Sequence, residues 1–110
     1  MSGEKELIHM TAKEYLNRYN TLDTEIEHLK TEQVKEPTKV RAKEIAAKKK
    51  EKEAIFSKIH SLNNETYEKI LYKRYVEKKP YKKIADEIGF SLSHTHTLRR
   101  EAIKKLEQII

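Results

Sequence analysis

The chain has 110 residues, 38% charged and 36% hydrophobic, with two glycines, two prolines and no cysteine. That balance describes one small helical domain, or a domain with an arm, and it excludes disulfides, thiolate catalysis and cysteine-ligated zinc. A formal charge of +6 favours a polyanionic partner, nucleic acid being the default, and no apolar run approaches the roughly 18 residues of a membrane span.

So little core material favours an oligomer, and with no signal peptide ahead of the first helix the expected compartment is the cytoplasm. Residues 1–9 show no strong period and read as a frayed lead-in. From there Ala12, Tyr15, Tyr19, Leu22, Ile26 and Leu29 alternate steps of three and four, a heptad seam ending near Gln33. Thr11 with Glu14 three residues on has capping-box spacing. The seam predicts a helix of about three heptads, with Tyr15, Tyr19, Leu22, Ile26 and Leu29 as the oligomerisation residues of a homodimer. Alternatively, the seam closes on the next helix of the same chain. Tyrosine suits a wet or partly open interface, because its ring is apolar and its hydroxyl needs a partner.

Pro37 forces a bend between Val34 and Thr38. A second helix follows from about Lys39 to Ser61, with apolar positions Val40, Ile45, Ile55, Ile59 and Leu62. Lys48, Lys49 and Lys50 fill its middle, which is expected to be solvated, with Glu44–Lys48 and Lys49–Glu53 as charge pairs one turn apart. An antiparallel hairpin, alone or paired with a second subunit, is the most economical burial of both seams. Residues 1–61 are thus assigned to a helical arm and 62–110 to a second unit.

Asn63 or Asn64 can cap a third helix with Tyr67, Ile70, Leu71, Tyr75 and Val76 on one face. Between Lys69 and Lys83 stand seven basic residues and one acid. Tyr81 to Ile88 then reads as a short helix with Ile84, Ala85 and Ile88 inward. Gly89 supplies a left-handed turn, Phe90 is expected to plug the core, and Ser91 caps a helix whose apolar stripe is Thr95, Leu98, Ala102 and Leu106. This is the pattern of a helix-turn-helix. The opposite face of its second helix carries Ser93, His96, Thr97, Arg100 and Lys104 without a carboxylate. In that motif the second helix enters the DNA major groove, early residues meeting base edges and later basic ones meeting phosphates. Double-stranded DNA is therefore the expected partner, with Lys73, Arg74, Lys78, Lys79, Lys82, Lys83 and Lys104 on its backbone. The competing reading is an ordinary helical hairpin with a solvated basic face.

Ala-Asp-Glu-Ile-Gly-Phe-Ser from Ala85 to Ser91, with Ala102-Ile103-Lys104-Lys105-Leu106 and the preceding Leu71-Tyr72-Lys73-Arg74-Tyr75, resembles region 4 of bacterial sigma factors. The whole plan, opening on Met10-Thr11-Ala12-Lys13-Glu14-Tyr15-Leu16, is similar to phage late-gene activators of the RinA-like and ArpU-like kind. That resemblance implies an all-α transcriptional regulator of phage or mobile-element genes: a helical arm, as coiled coil or hairpin, then a sigma-region-4-like helix-turn-helix. It places base reading on Leu92, Ser93, His96 and Thr97. Thr95 replaces a branched aliphatic residue usual in the family and should loosen the core slightly. Pro80 stands where a Ser or Thr cap is common. A minus-35 promoter element is not implied, because the reading positions lack the Arg, Glu and Gln of the sigma pattern.

His94 and His96, two apart on a helix, point away from each other and cannot share a metal. No nucleophile motif or glycine-rich phosphate loop stands out, so neither an enzyme nor a cofactor is expected. Two other functions use the same fold: a structural DNA binder in packaging or recombination, and an interaction module for RNA polymerase or another regulatory protein.

Overall fold

The computed structural model describes residues 11–110; the lead-in at 1–9 lies outside them. Five α-helices follow one another with no strand among the described residues: α1 Ala12–Lys35, α2 Lys39–His60, α3 Glu65–Leu71, α4 Tyr81–Ile88 and α5 Leu92–Glu107. None is long and apolar enough to cross a membrane.

Thr11 starts α1, its Oγ1 accepting from the Glu14 N–H at 3.2 Å. The reciprocal half of the expected capping box is replaced by a Thr11 hydroxyl bond to the Glu14 carboxylate. At the other end the backbone leaves helical angles at Glu36, as Pro37 requires. The bend is held by Gln33, whose amide pairs with both the N–H and the C=O of Thr38, and by Arg41, which donates to the Glu32 and Glu36 carbonyls. Thr38 then caps α2.

Helices α1 and α2 form an antiparallel hairpin, with Arg18 beside Glu51 and Glu25 beside Lys48. The middle of α2 is not simply solvated. Lys48 and Lys52 cross to Glu25 and Asp23, so Lys48 meets an acid on α1 rather than the expected Glu44. Such half-exposed pairs contribute little each, and their use is to hold register. Tyr19, Leu22 and Ile55 fill the hairpin's apolar contact, with Ile26 also buried and Tyr15 and Leu29 half-buried. The proposed oligomerisation seam is thus covered by α2 within one chain. Val40, expected on the seam, is 78% exposed, because it sits at the hairpin tip where no third helix covers it.

A second cluster ties the arm to the C-terminal unit. Ala12, Leu16, Ile59, Leu62, Leu71, Tyr75, Ala102 and Leu106 form one buried core. Each fully buried leucine or isoleucine here contributes about 1.5–3 kcal/mol. Leu16 was not on the predicted seam; it is buried because α1 meets α5 as well as α2, which widens its apolar stripe. This cluster draws on residues from both sides of the boundary expected near residue 61.

Asn64 caps α3 through its side chain, which accepts from the Tyr67 N–H, and its own N–H donates to Glu68 four places on, a reciprocal cap. Tyr72–Val76 continues α3 as a π-helical turn, with the Glu77 N–H reaching back to the Tyr72 carbonyl. Lys78 then adopts a left-handed conformation, φ 60°, and the chain enters α4 at Pro80.

Candidate nucleic-acid interface

Pro80 opens α4 with φ −69° and ψ 151°, its carbonyl accepting from Lys83 and Ile84, so the ring's fixed angle starts the helix without a side-chain cap. Gly89 ends it at φ +78°, and the N–H groups of Gly89 and Phe90 both reach the Ala85 carbonyl. A Cβ on Gly89 would meet no atom within 4 Å, so glycine is required here by backbone angle and not by space. The turn carries Phe90 outward: it is 40% exposed and lies edge-on to His94 instead of plugging the core. Ser91 caps α5 by accepting from the His94 N–H at 3.1 Å.

Thr95, Ala102 and Leu106 seat α5 inward, with Leu98 only half-buried. Thr95 does not loosen the core as expected. It is fully buried, and its hydroxyl donates to the Ser91 carbonyl at 2.9 Å, so no polar atom is stranded. On the outer face Leu92, Ser93, Thr97, Arg100 and Lys104 are exposed. The Thr97 hydroxyl donates to the Ser93 carbonyl at 3.2 Å and accepts from Arg100 at 3.3 Å, which orders the two side chains relative to each other.

His96 stands apart from this group. It is half-buried against Tyr81, ring centroids 4.9 Å apart. Tyr81 is also covered by the guanidinium groups of Arg74, at 4.5 Å, and Arg99, at 5.3 Å. No reading of local pattern singled out Tyr81. The available signal was an aromatic residue at the first position of a helix flanked by four lysines, which is an unusual place for an unsupported ring.

The basic set divides in two. Lys73 and Lys79 converge on Glu87 at 2.7 and 2.9 Å, with Glu77 near both. Hydrogen bonds from Lys73, then Lys79, pull the Glu87 carboxyl down to about 2. Lys78 reaches Asp23 of α1 at 3.1 Å. Burial would raise the Asp23 carboxyl, but bonds from Lys52 and Lys78 hold it below its ordinary value. Three of the expected phosphate contacts therefore already have acidic partners. Arg74 donates to the Lys79 carbonyl and faces Tyr81. Lys82, Lys83, Arg100 and Lys104 have no ion-pair partner within 4 Å among the described residues. They stand on the outer faces of α4 and α5.

A short helix, a left-handed glycine turn and a capped second helix with a polar, acid-free outer face define a helix-turn-helix of the DNA-binding regulatory type. Residues 64–108 match the family model described as sigma-70, region 4. The hairpin arm lies outside that match. Neither the curated proteins nor the solved structures compared with the chain give a match.

Proposed function

We propose that the chain is a sequence-specific double-stranded DNA-binding transcriptional regulator, an activator of phage or mobile-element genes of the RinA-like and ArpU-like kind. The observation that carries this reading is the outer face of α5, where Ser93, Thr97 and Arg100 are exposed and ordered with no carboxylate among them. Arg100 is suited to the acceptor pair on guanine, the hydroxyls to either donors or acceptors, and exposed Leu92 to a thymine methyl. Lys82, Lys83 and Lys104 supply the phosphate contacts that set register.

The seam residues Tyr19, Leu22 and Ile26 are buried in the hairpin, which favours a chain that reads DNA as a monomer or dimerises through another surface. A second reading, an interaction module for RNA polymerase or another regulator, draws on the exposed Phe90 and Leu92 at the start of α5. The deciding experiment incubates the pure protein with a random duplex library and sequences what is retained. An enriched motif supports the regulator, and two half-sites would add a dimer. Uniform weak retention points to a structural DNA binder, and no retention to the interaction module.

A further inference from the structure

The arm and the helix-turn-helix together line a cleft of about 550 Å³ beside Tyr81. Its lining includes Lys13, Asn17 and Asn20 from α1, Arg74 from the π-helical turn, Lys78 and, from α5, Arg99, with no carboxylate. Two buried polar atoms of these residues lack any hydrogen-bond partner, Nε of Arg99 and Oδ1 of Asn20. Buried polar groups in folded proteins are nearly always paired, so two orphans on one cleft indicate a missing partner. The Arg99 Nε–H is a donor awaiting an acceptor. A half-turn of the Asn20 amide exchanges its oxygen for its NH2 and makes a second donor. Lys78 is already paired with Asp23, whereas Lys13, Arg74 and Arg99 have no acidic partner within 4 Å among the described residues.

We infer that this cleft binds a phosphate group. A tetrahedral oxyanion accepts several N–H bonds at once, and guanidinium forks fit its edges. Lys13, Asn17 and Asn20 lie in the arm, outside the residues that match region 4, so the arm completes a site that the helix-turn-helix could not form alone. Through Tyr81, which touches Arg74, Arg99 and His96, an occupant would also bear on the reading face. The phosphate has two sources: a phosphodiester of bound DNA beside the reading site, or a free phosphate such as pyrophosphate.

The test follows the Arg99 Nε–H and the Asn17 and Asn20 side-chain amides by nitrogen–proton NMR, using the full chain. Inorganic phosphate and pyrophosphate are added first and a DNA duplex separately. Saturable shifts confined to these groups are expected. Arg99→Lys, which keeps the charge and deletes the Nε donor, and Lys13→Gln, an exposed change, should each weaken the response about five- to tenfold. If the source is DNA, Lys13→Gln lowers affinity for every duplex alike and reduces the salt slope by about one. If the source is a free phosphate, Lys13→Gln leaves duplex binding unchanged and weakens pyrophosphate binding. The inference is overturned if phosphate, pyrophosphate and duplex all leave these signals in place, or if both variants respond as the wild type does. The phosphate titration involves no DNA, so its result stands apart from any failure of the sequence-reading proposal.

Discussion

The Tyr81 ring packs against His96 at 4.9 Å, so the first residue of α4 sets the direction in which a proposed base-reading side chain leaves α5. Tyr81→Ala should therefore relax the selected DNA motif at the same position as His96→Ala. A positioned base contact is worth about 1–3 kcal/mol of discrimination, and the double variant should lose little more than either single one. Selection from a random library with the three variants checks this; additive losses would separate the two residues.

Phosphate contact should depend on Lys82, Lys83 and Lys104 and hardly at all on Lys73. With three phosphates neutralised, log K should fall against log salt with a slope of about −3. Replacing Lys82 and Lys83 together with Ala should bring the slope to about −1 and weaken all sequences equally. Lys73→Ala should leave it near the wild-type value, because that ammonium is held by Glu87. Fluorescence anisotropy across a salt series distinguishes these outcomes.

Glu87 gives the fold an acid limit. Its carboxyl lies at about 2 in the folded chain, held down by Lys73 and Lys79, against about 4.3 when unfolded. A depressed folded value means the unfolded state binds the proton more readily, so the stabilisation is complete above the unfolded value and is lost as pH falls towards 2. Denaturant unfolding from about pH 6 to about pH 2 should show a shallower decline for Glu87→Gln. The same variant leaves Lys73 and Lys79 with Glu77 as their one acidic neighbour and should bind nonspecific duplex more tightly at low salt.

Gly89→Ala has room for its methyl group but must hold φ +78°. The expected cost is about 1–2 kcal/mol, with Gly89→Asn less damaging because asparagine visits left-handed angles more readily. Equilibrium unfolding measures both, and an unchanged stability for the alanine variant would mean the turn relaxes to another shape.

Leu22 is fully buried between α1 and α2. Leu22→Ala should cost about 2–5 kcal/mol through loss of that contact, and the unfolding midpoint should not vary with protein concentration. A concentration-dependent midpoint, or a dimer in sedimentation that the substitution dissociates, would return the seam to the role of an interface between chains.

The helices and their ends were written locally. Thr11, Thr38, Asn64 and Ser91 cap the helices they precede, and Pro37 and Gly89 stop them where their backbone preferences demand. Capping and turn chemistry act over three or four residues, so a one-dimensional pattern contains them whole. The helix-turn-helix and the polar face of α5 were legible for the same reason. Charge was not. Lys73 and Lys79 look free along the chain and are neutralised by Glu87, eight or more positions away, while Lys78 and Lys52 share Asp23 across the hairpin. Nor does the heptad seam say whose helix will cover it. That choice is made where α1 meets α2, the burial of Leu16 where the arm meets α5, and the meeting of Tyr81 with Arg74, His96 and Arg99 where α4 packs on its neighbours. Apolar contact and Coulomb attraction depend on distance through space, and sequence separation carries no record of it.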